Sequence, residues 1–145
     1  MKMPDNPGKI LGIDPGRKRV GLAIGDSSLR VATGFDVMEY EGREKFLQRL
    51  ESIIDKENIT LIVVGLPKNM NGSEGEAAKY SRRLADSIKE RLNVDVTMMD
   101  ERLTTHQAAR QVHASGGKTG KNKGRVDMLS AALILQSYLD GLPAK

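Results

Sequence analysis

The chain of 145 residues has no cysteine and no tryptophan. Without thiols there is no disulfide framework, no Cys-based zinc site and no thiolate nucleophile, and a reducing cytoplasm is the compartment this composition fits. Aromatics are few, two Phe and three Tyr, which argues against a base-stacking platform and for recognition of backbone or shape. No apolar run approaches the ~20 residues of a membrane span. The opening MKMPDNPG is polar and has no apolar h-region, so neither a membrane partner nor a secretory signal is expected. Neither sign of charge dominates: 23 Lys and Arg against 19 Asp and Glu leave +4. That excess suits an anionic partner without selecting nucleic acid.

What is there reads as one soluble globular domain, since 39% of residues are hydrophobic and 29% charged. At this length folding buries roughly 70% of the unfolded surface, enough for a core without staples. Residues 1–8 read as a loose tail, 9–140 as a single domain and 141–145 as a C-terminal tail. Lys9 to Asp14 is a strand, followed by turn chemistry at Pro15-Gly16-Arg17-Lys18. Arg19 to Asp26 sets Val20, Leu22 and Ile24 against Gly21, Ala23 and Gly25, a period of two with one bulky and one small face. The small face lets something pack closely on the sheet. Val31 to Met38 is a weaker strand, and the three fit an antiparallel meander. Glu44 to Glu57 spaces Phe46, Leu47, Leu50, Ile53 and Ile54 as a helix.

Leu61 to Val64 is a continuous apolar run, as in a strand buried on both faces. Ser73 and Glu76 have capping-box spacing, opening a helix to about Leu92. Val94 to Met99 is another strand, and Thr104 with Gln107 forms a second capping box for a short helix to about His113. Ser115 to Arg125 is rich in Gly and Lys, and Val126 to Leu139 is a final, nearly all-apolar helix. The order β-β-β-α-β-α-β-α-α predicts an α/β fold with a single mixed five-stranded sheet, three antiparallel strands then parallel ones, flanked by helices.

Three carboxylates fall at element ends. Asp14 ends the first strand, Glu101 ends the last, and Asp127 sits in the first turn of the final helix. If strands one and five run parallel near the sheet centre, Asp14 and Glu101 reach the same edge, where ligands gather in open α/β sheets. Asp127 heads a line continued by Ala131 and Ile134, so it faces the core or a site, and a bare carboxylate there needs a partner. Three converging carboxylates suit Mg²⁺ or Mn²⁺, one ion or two, which can activate water and stabilise a leaving oxygen in phosphodiester cleavage. Each acid alone has a plainer reading: a turn residue for Asp14, a helix-dipole partner for Asp127, a surface charge cluster for Asp100-Glu101-Arg102. Their shared edge is what favours a site.

The loop from Gly65 to Ser73 precedes a helix, so its N–H groups with Lys68, Asn69 and Asn71 could hold a phosphate. Lys118, Lys121, Lys123 and Arg125 lie in a segment without an acid and suit phosphate neutralisation. Arg17, Lys18 and Arg19 add charge beside Asp14, and Arg102 beside Glu101. His106 and His113 are seven apart, unlike the i, i+4 pair of a zinc helix.

Gly12-Ile13-Asp14-Pro15-Gly16 with Val20-Gly21-Leu22-Ala23, then Val64-Gly65-Leu66-Pro67, then Asp100-Glu101-Arg102-Leu103-Thr104-Thr105, then Lys123-Gly124-Arg125-Val126-Asp127, resemble the YqgF/RuvX family over about residues 9 to 140. The resemblance implies a ribonuclease H-like fold similar to the Holliday-junction resolvase RuvC, and a nuclease acting in 5′-end maturation of pre-16S rRNA. It implies catalytic, metal-holding roles for Asp14, Glu101 and Asp127. The partners expected are structured pre-rRNA and ribosomal precursor particles, with branched DNA as the alternative, for a monomer or homodimer. Related enzymes commonly carry a fourth acid; Asp100 is available, but alternation turns it to the face opposite Glu101. Asp14-Pro15-Gly16 also resembles the phosphate-binding hairpin of the actin and sugar-kinase superfamily, whose members close two such domains on ATP, more than this length supplies. A non-catalytic nucleic-acid-binding ribosome or transcription factor is the third alternative.

Overall fold

The computed structural model describes residues 8–101 and 121–143, with side chains in the second segment from Val126 onward. The strands are β1 (Lys9–Asp14), β2 (Arg19–Gly25), β3 (Ala32–Glu39), β4 (Ile59–Leu66) and β5 (Asp95–Asp100). The described helices are α1 (Arg43–Glu57), α2 (Glu76–Arg91) and α3 (Lys121–Asp140). The five strands form one sheet in the order β3-β2-β1-β4-β5. Pairs β1–β2 and β2–β3 are antiparallel, whereas β1–β4 and β4–β5 are parallel. The expected meander and mixed sheet are therefore present.

Period-two alternation divides the strands between two cores. Leu11, Ile13, Val20, Leu22, Ile62 and Val64 pack with Phe46, Leu47 and Leu50 of α1 and Leu84 and Ile88 of α2. Ile10, Ala23 and Val63 pack with Ala131, Ile134, Leu135 and Leu139 of α3 on the other face. The run in β4 is apolar throughout because it serves both cores.

The small face of β2 is where α3 docks. A Cβ on Gly21 would come within 2.1 Å of the Asp127 carbonyl oxygen, and one on Gly12 within 2.7 Å of Leu135 Cβ. Gly34 of β3 approaches Met128 in the same way, at 3.1 Å. The helix backbone thus lies directly on the sheet, closer than any side chain would allow. Gln136 fastens the β2–β3 connection to α3, accepting from the Ala32 N–H at 2.9 Å and donating to the Arg30 carbonyl at 2.8 Å.

Two local expectations are corrected. Ser73 does not cap α2, which starts at Glu76 with Gly75 as N-cap and no side-chain cap bond. The Ser73 hydroxyl instead donates to Asn71 Oδ1 at 2.6 Å and accepts from Asn69 Nδ2 at 2.9 Å. Local Asn and Ser bonding closes the loop on itself and outcompetes the cap. The last helix starts at Lys121, not Val126, so the Gly- and Lys-rich stretch is partly helical. Extending an existing helix costs far less than nucleating one, and Lys and Arg are good helix formers. Asp127 therefore lies in the second turn of α3, outside the short reach of the helix dipole. The helix expected over 104–113, with its Thr104 and Gln107 cap, lies outside the described residues, as do His106 and His113.

Candidate active site

The C-terminal ends of β1, β4 and β5 share one sheet edge, because these strands run parallel. Asp14 is the last residue of β1, a central strand, and Glu101 follows β5 at the sheet margin. Asp14 pairs in register with Gly21. Gly12 faces α3 and Ile13 the opposite core, so alternation puts Asp14 on the α3 face. Gly21 beside it lies under the backbone of Asp127.

On the other flank of β1, Gly65 makes room for Glu101. A Cβ on Gly65 would stand 2.5 Å from Glu101 Oε2 and 2.7 Å from Ile134 Cδ1. Glu101 is buried, with only 8% of its surface exposed. The three acids thus occupy the same face: Asp127 over β2, Asp14 ending β1, and Glu101 over β4. Two glycines provide the space for the outer pair. Asp100 pairs with Leu66, whose neighbours Val64 and Ile62 face the α1–α2 core, so it lies on the other face, as alternation predicts.

Arg19 Nε donates to Asp127 Oδ2 at 2.7 Å, a charge-assisted bond between partly buried groups. Arg19 shares its face of β2 with Gly21, the residue beneath Asp127. Among the described residues no three His, Cys, Asp or Glu side chains draw close enough to share a metal ion. The donors at this edge are hard carboxylate oxygens, and a guanidinium already supplies positive charge to one of them. The donor set fits a divalent cation in kind, with the Arg19 guanidinium competing for Asp127.

The other expected binding residues divide. Arg17 is exposed, with its guanidinium 4.8 Å from the centroid of the Tyr80 ring. Lys18 is exposed, and its carbonyl accepts from the Tyr40 N–H at 2.8 Å. The loop after β4 lies at the expected edge, but Asn69 and Asn71 spend side-chain bonds on Ser73. Lys68 is half-buried and adds its charge to the field that lowers the Glu74 pKa. The main cause of that lowering is Arg82, which holds Glu74 through two 2.6 Å bonds. Lys121, Lys123 and Arg125 fall in the first turns of α3, described for their backbone alone. Arg102 and Lys118 lie outside the described residues.

Arg19 is the site residue that sequence reasoning underweighted. The signal was available: it sits two residues before Gly21, on the small face that was read as making room for a close partner.

A family model described as RuvX, Holliday junction resolvase, matches residues 8–141. A protein of Anaeromyxobacter sp. (strain Fw109-5) named "Putative pre-16S rRNA nuclease" is 40% identical over 133 residues, covering 92% of this chain and 97% of the relative. One of the same name from Streptococcus thermophilus (strain CNRZ 1066) is 42% identical over 135 residues, covering 91% and 97%. Among solved structures, T. thermophilus RuvC in complex with a Holliday junction substrate aligns with a TM-score of 0.56 at 14% identity, over 92% of this chain and 97% of that one. The fowlpox virus resolvase with Holliday junction DNA aligns at 0.54 and 12% identity, over 94% and 99%. At such identities the structural likeness speaks for the fold, which is ribonuclease H-like. With the family match spanning residues 8–141 and relatives near 40% identity along almost their whole length, the chain belongs to the RuvX family of nucleases.

Proposed function

We propose that this chain is a metal-dependent endonuclease that cleaves phosphodiester bonds in structured nucleic acid, acting in the cytoplasm on the 5′ end of pre-16S rRNA within ribosomal precursor particles. The observation that carries the reading is the delivery of Asp14, Glu101 and Asp127 to one sheet edge, with Gly21 and Gly65 making room on either side. Relatives near 40% identity that bear the pre-16S rRNA name support the substrate. The family description supports a four-way DNA junction as the second candidate.

Asp14, Glu101 and Asp127 would hold Mg²⁺ or Mn²⁺, which when bound lowers the pKa of water and offsets charge on the leaving oxygen. The chain's own groups do the rest. Burial of Glu101 keeps its carboxylate in a setting of low dielectric, where it orients an attacking water strongly. Arg19 fixes the rotamer of Asp127 through Oδ2 and leaves Oδ1 for the site. Arg17 and Lys18, on the turn after Asp14, guide the phosphate backbone, as do the cations of residues 118–125.

The test is cleavage of labelled precursor rRNA and of a four-way DNA junction in Mg²⁺ and in Mn²⁺, by wild type and by Asp14→Asn. The expected result is metal-dependent cutting of the rRNA, reduced at least about 100-fold in the variant, with binding retained. Equal cutting by both proteins would refute the assignment of Asp14. Binding without cutting by wild type would refute the nuclease reading in favour of a binding factor. Preferential cutting of the junction would move the substrate to DNA.

A further inference from the structure

At the same sheet edge, on the face opposite the carboxylates, three of the five aromatic residues converge. Tyr40, just past β3, meets Tyr80 of α2 edge to face with ring centroids 6.4 Å apart, and packs on Phe46 at 5.6 Å. Beside them opens a cavity of about 410 Å³ lined by Tyr40, Arg43, Tyr80, Arg83, Leu84 and Ser87. It is open to solvent on one side, so a group seated there keeps part of its surface in water.

The charge at this cavity is unbalanced in a specific way. Of the arginines on this surface of α1 and α2, Arg82 is held by both oxygens of Glu74, and Arg91 by both oxygens of Glu44. Arg43 and Arg83 are exposed and form no ion pair among the described residues. Arg43 donates to Ser87 Oγ across the cavity wall at 3.5 Å. The cavity is also joined to the carboxylate edge. The Tyr80 hydroxyl donates to the Gly16 carbonyl at 3.1 Å, two residues after Asp14, and Arg17 lies over the Tyr80 ring.

We infer that this cavity seats an unpaired nucleotide of the substrate strand next to the cleavage site, with its phosphate between Arg43 and Arg83 and its base against the Tyr40–Tyr80 pair. The Glu44 pKa is lowered mainly by its bonds to Arg91, and Arg43 adds to that field. Neither Arg43 nor Arg83 has a carboxylate within ion-pair distance among the described residues, and both can match phosphate oxygens in charge and geometry. Arg17 covers one face of Tyr80 and Phe46 packs on Tyr40, so the rings offer a base one local apolar contact rather than the extended stacking platform that the composition argues against. Such a contact reads no sequence, and the subsite selects for a strand being unpaired. A base stacked within a duplex cannot enter. Cleavage would then be directed to junctions between paired and unpaired strands, which deepens the nuclease reading above and rests on it.

The test is fluorescence anisotropy in EDTA with two fluorescein-labelled RNAs: a duplex with single-stranded tails at both ends, and the same duplex blunt. Wild type is expected to prefer the tailed RNA by about tenfold. Arg43→Ala/Arg83→Ala, a change of two exposed side chains, is expected to lose that preference and to bind the blunt duplex within about twofold of wild type. Its salt slope on tailed RNA should fall by about 0.7 for each phosphate that is no longer neutralised. Tyr40→Leu should lose the preference with the slope unchanged. Wild type without a tail preference, or a double variant weakened equally on both RNAs, would overturn the subsite. Wild type that binds neither RNA, but binds a four-way DNA junction under the same conditions, would overturn the subsite for RNA and the pre-rRNA substrate while leaving the nuclease reading in place.

Discussion

Arg19 governs the electrostatics of the carboxylate edge. Three acids on one face repel one another, and its guanidinium offsets part of that repulsion through the 2.7 Å bond to Asp127. A hydrogen-bonded charge pair that is partly solvated contributes about 1–2 kcal/mol. Arg19→Gln is therefore expected to lower the melting temperature in EDTA. With the competing cation gone, Mn²⁺ should stabilise the variant more than it stabilises wild type. Differential scanning fluorimetry in EDTA and in Mn²⁺ checks both, and equal melting of the two proteins in EDTA would remove Arg19 from this role. The residue was legible only in part. Its charge beside Asp14 is plain in the sequence, but its partner lies 108 residues away. Only the alternation through Gly21 connects them.

At the scale of elements, two glycines that look alike in sequence do different work. A methyl on Gly65 would meet the ends of two side chains, Glu101 and Ile134. Those can give way, so Gly65→Ala should fold with a small loss of stability while displacing the Glu101 carboxylate. We expect cleavage to fall at least about tenfold, since small misplacements of catalytic groups have large effects on rate. A methyl on Gly21 would meet the α3 backbone at 2.1 Å, and a helix must shift to admit it. Overpacking of that kind costs about 1–3 kcal/mol or more, and urea denaturation of Gly21→Ala should show it. Gly21 lies within an alternation readable from the sequence, whereas Gly65 was read as the first residue of the loop after the apolar run and instead belongs to β4. What the sequence left hidden was the length of α3. The Lys- and Gly-rich stretch before Val126 resembles a linker, yet helix extends back through it to Lys121. Ser73 and Glu76 misled for a related reason: spacing shows that a capping bond can form, whereas Asn69 and Asn71 determine that it does not.

For the whole molecule, both cores share one sheet. Leu50 and Leu135 are fully buried on opposite faces, yet β1, β2 and β4 contribute to both clusters. Unfolding should therefore be a single cooperative event. Leu50→Ala and Leu135→Ala should each cost about 2–5 kcal/mol, and far-UV circular dichroism and tyrosine fluorescence should report the same midpoint for each. Separate transitions would mean that the faces unfold independently. The meander and the parallel later strands were legible from alternation and from the strand-helix order, and the small face of β2 announced a close partner; that the partner is α3, and that β5 lies at the sheet margin, was not. The shared edge of the three acids was legible, and its flanking by two glycines was not.

The docking of α3 also imposes an order in time. Asp127 follows Asp14 by 113 positions in the chain. At ribosomal rates of about 5–20 residues per second, it emerges roughly 6–23 s later. The five strands can assemble before it, with β4 between those that carry the first two acids, but their α3 face stays bare and Arg19 has no Asp127 to meet. A partly synthesised copy thus holds an incomplete set of acids while it is still attached to a ribosome, the machine whose RNA its relatives are named for.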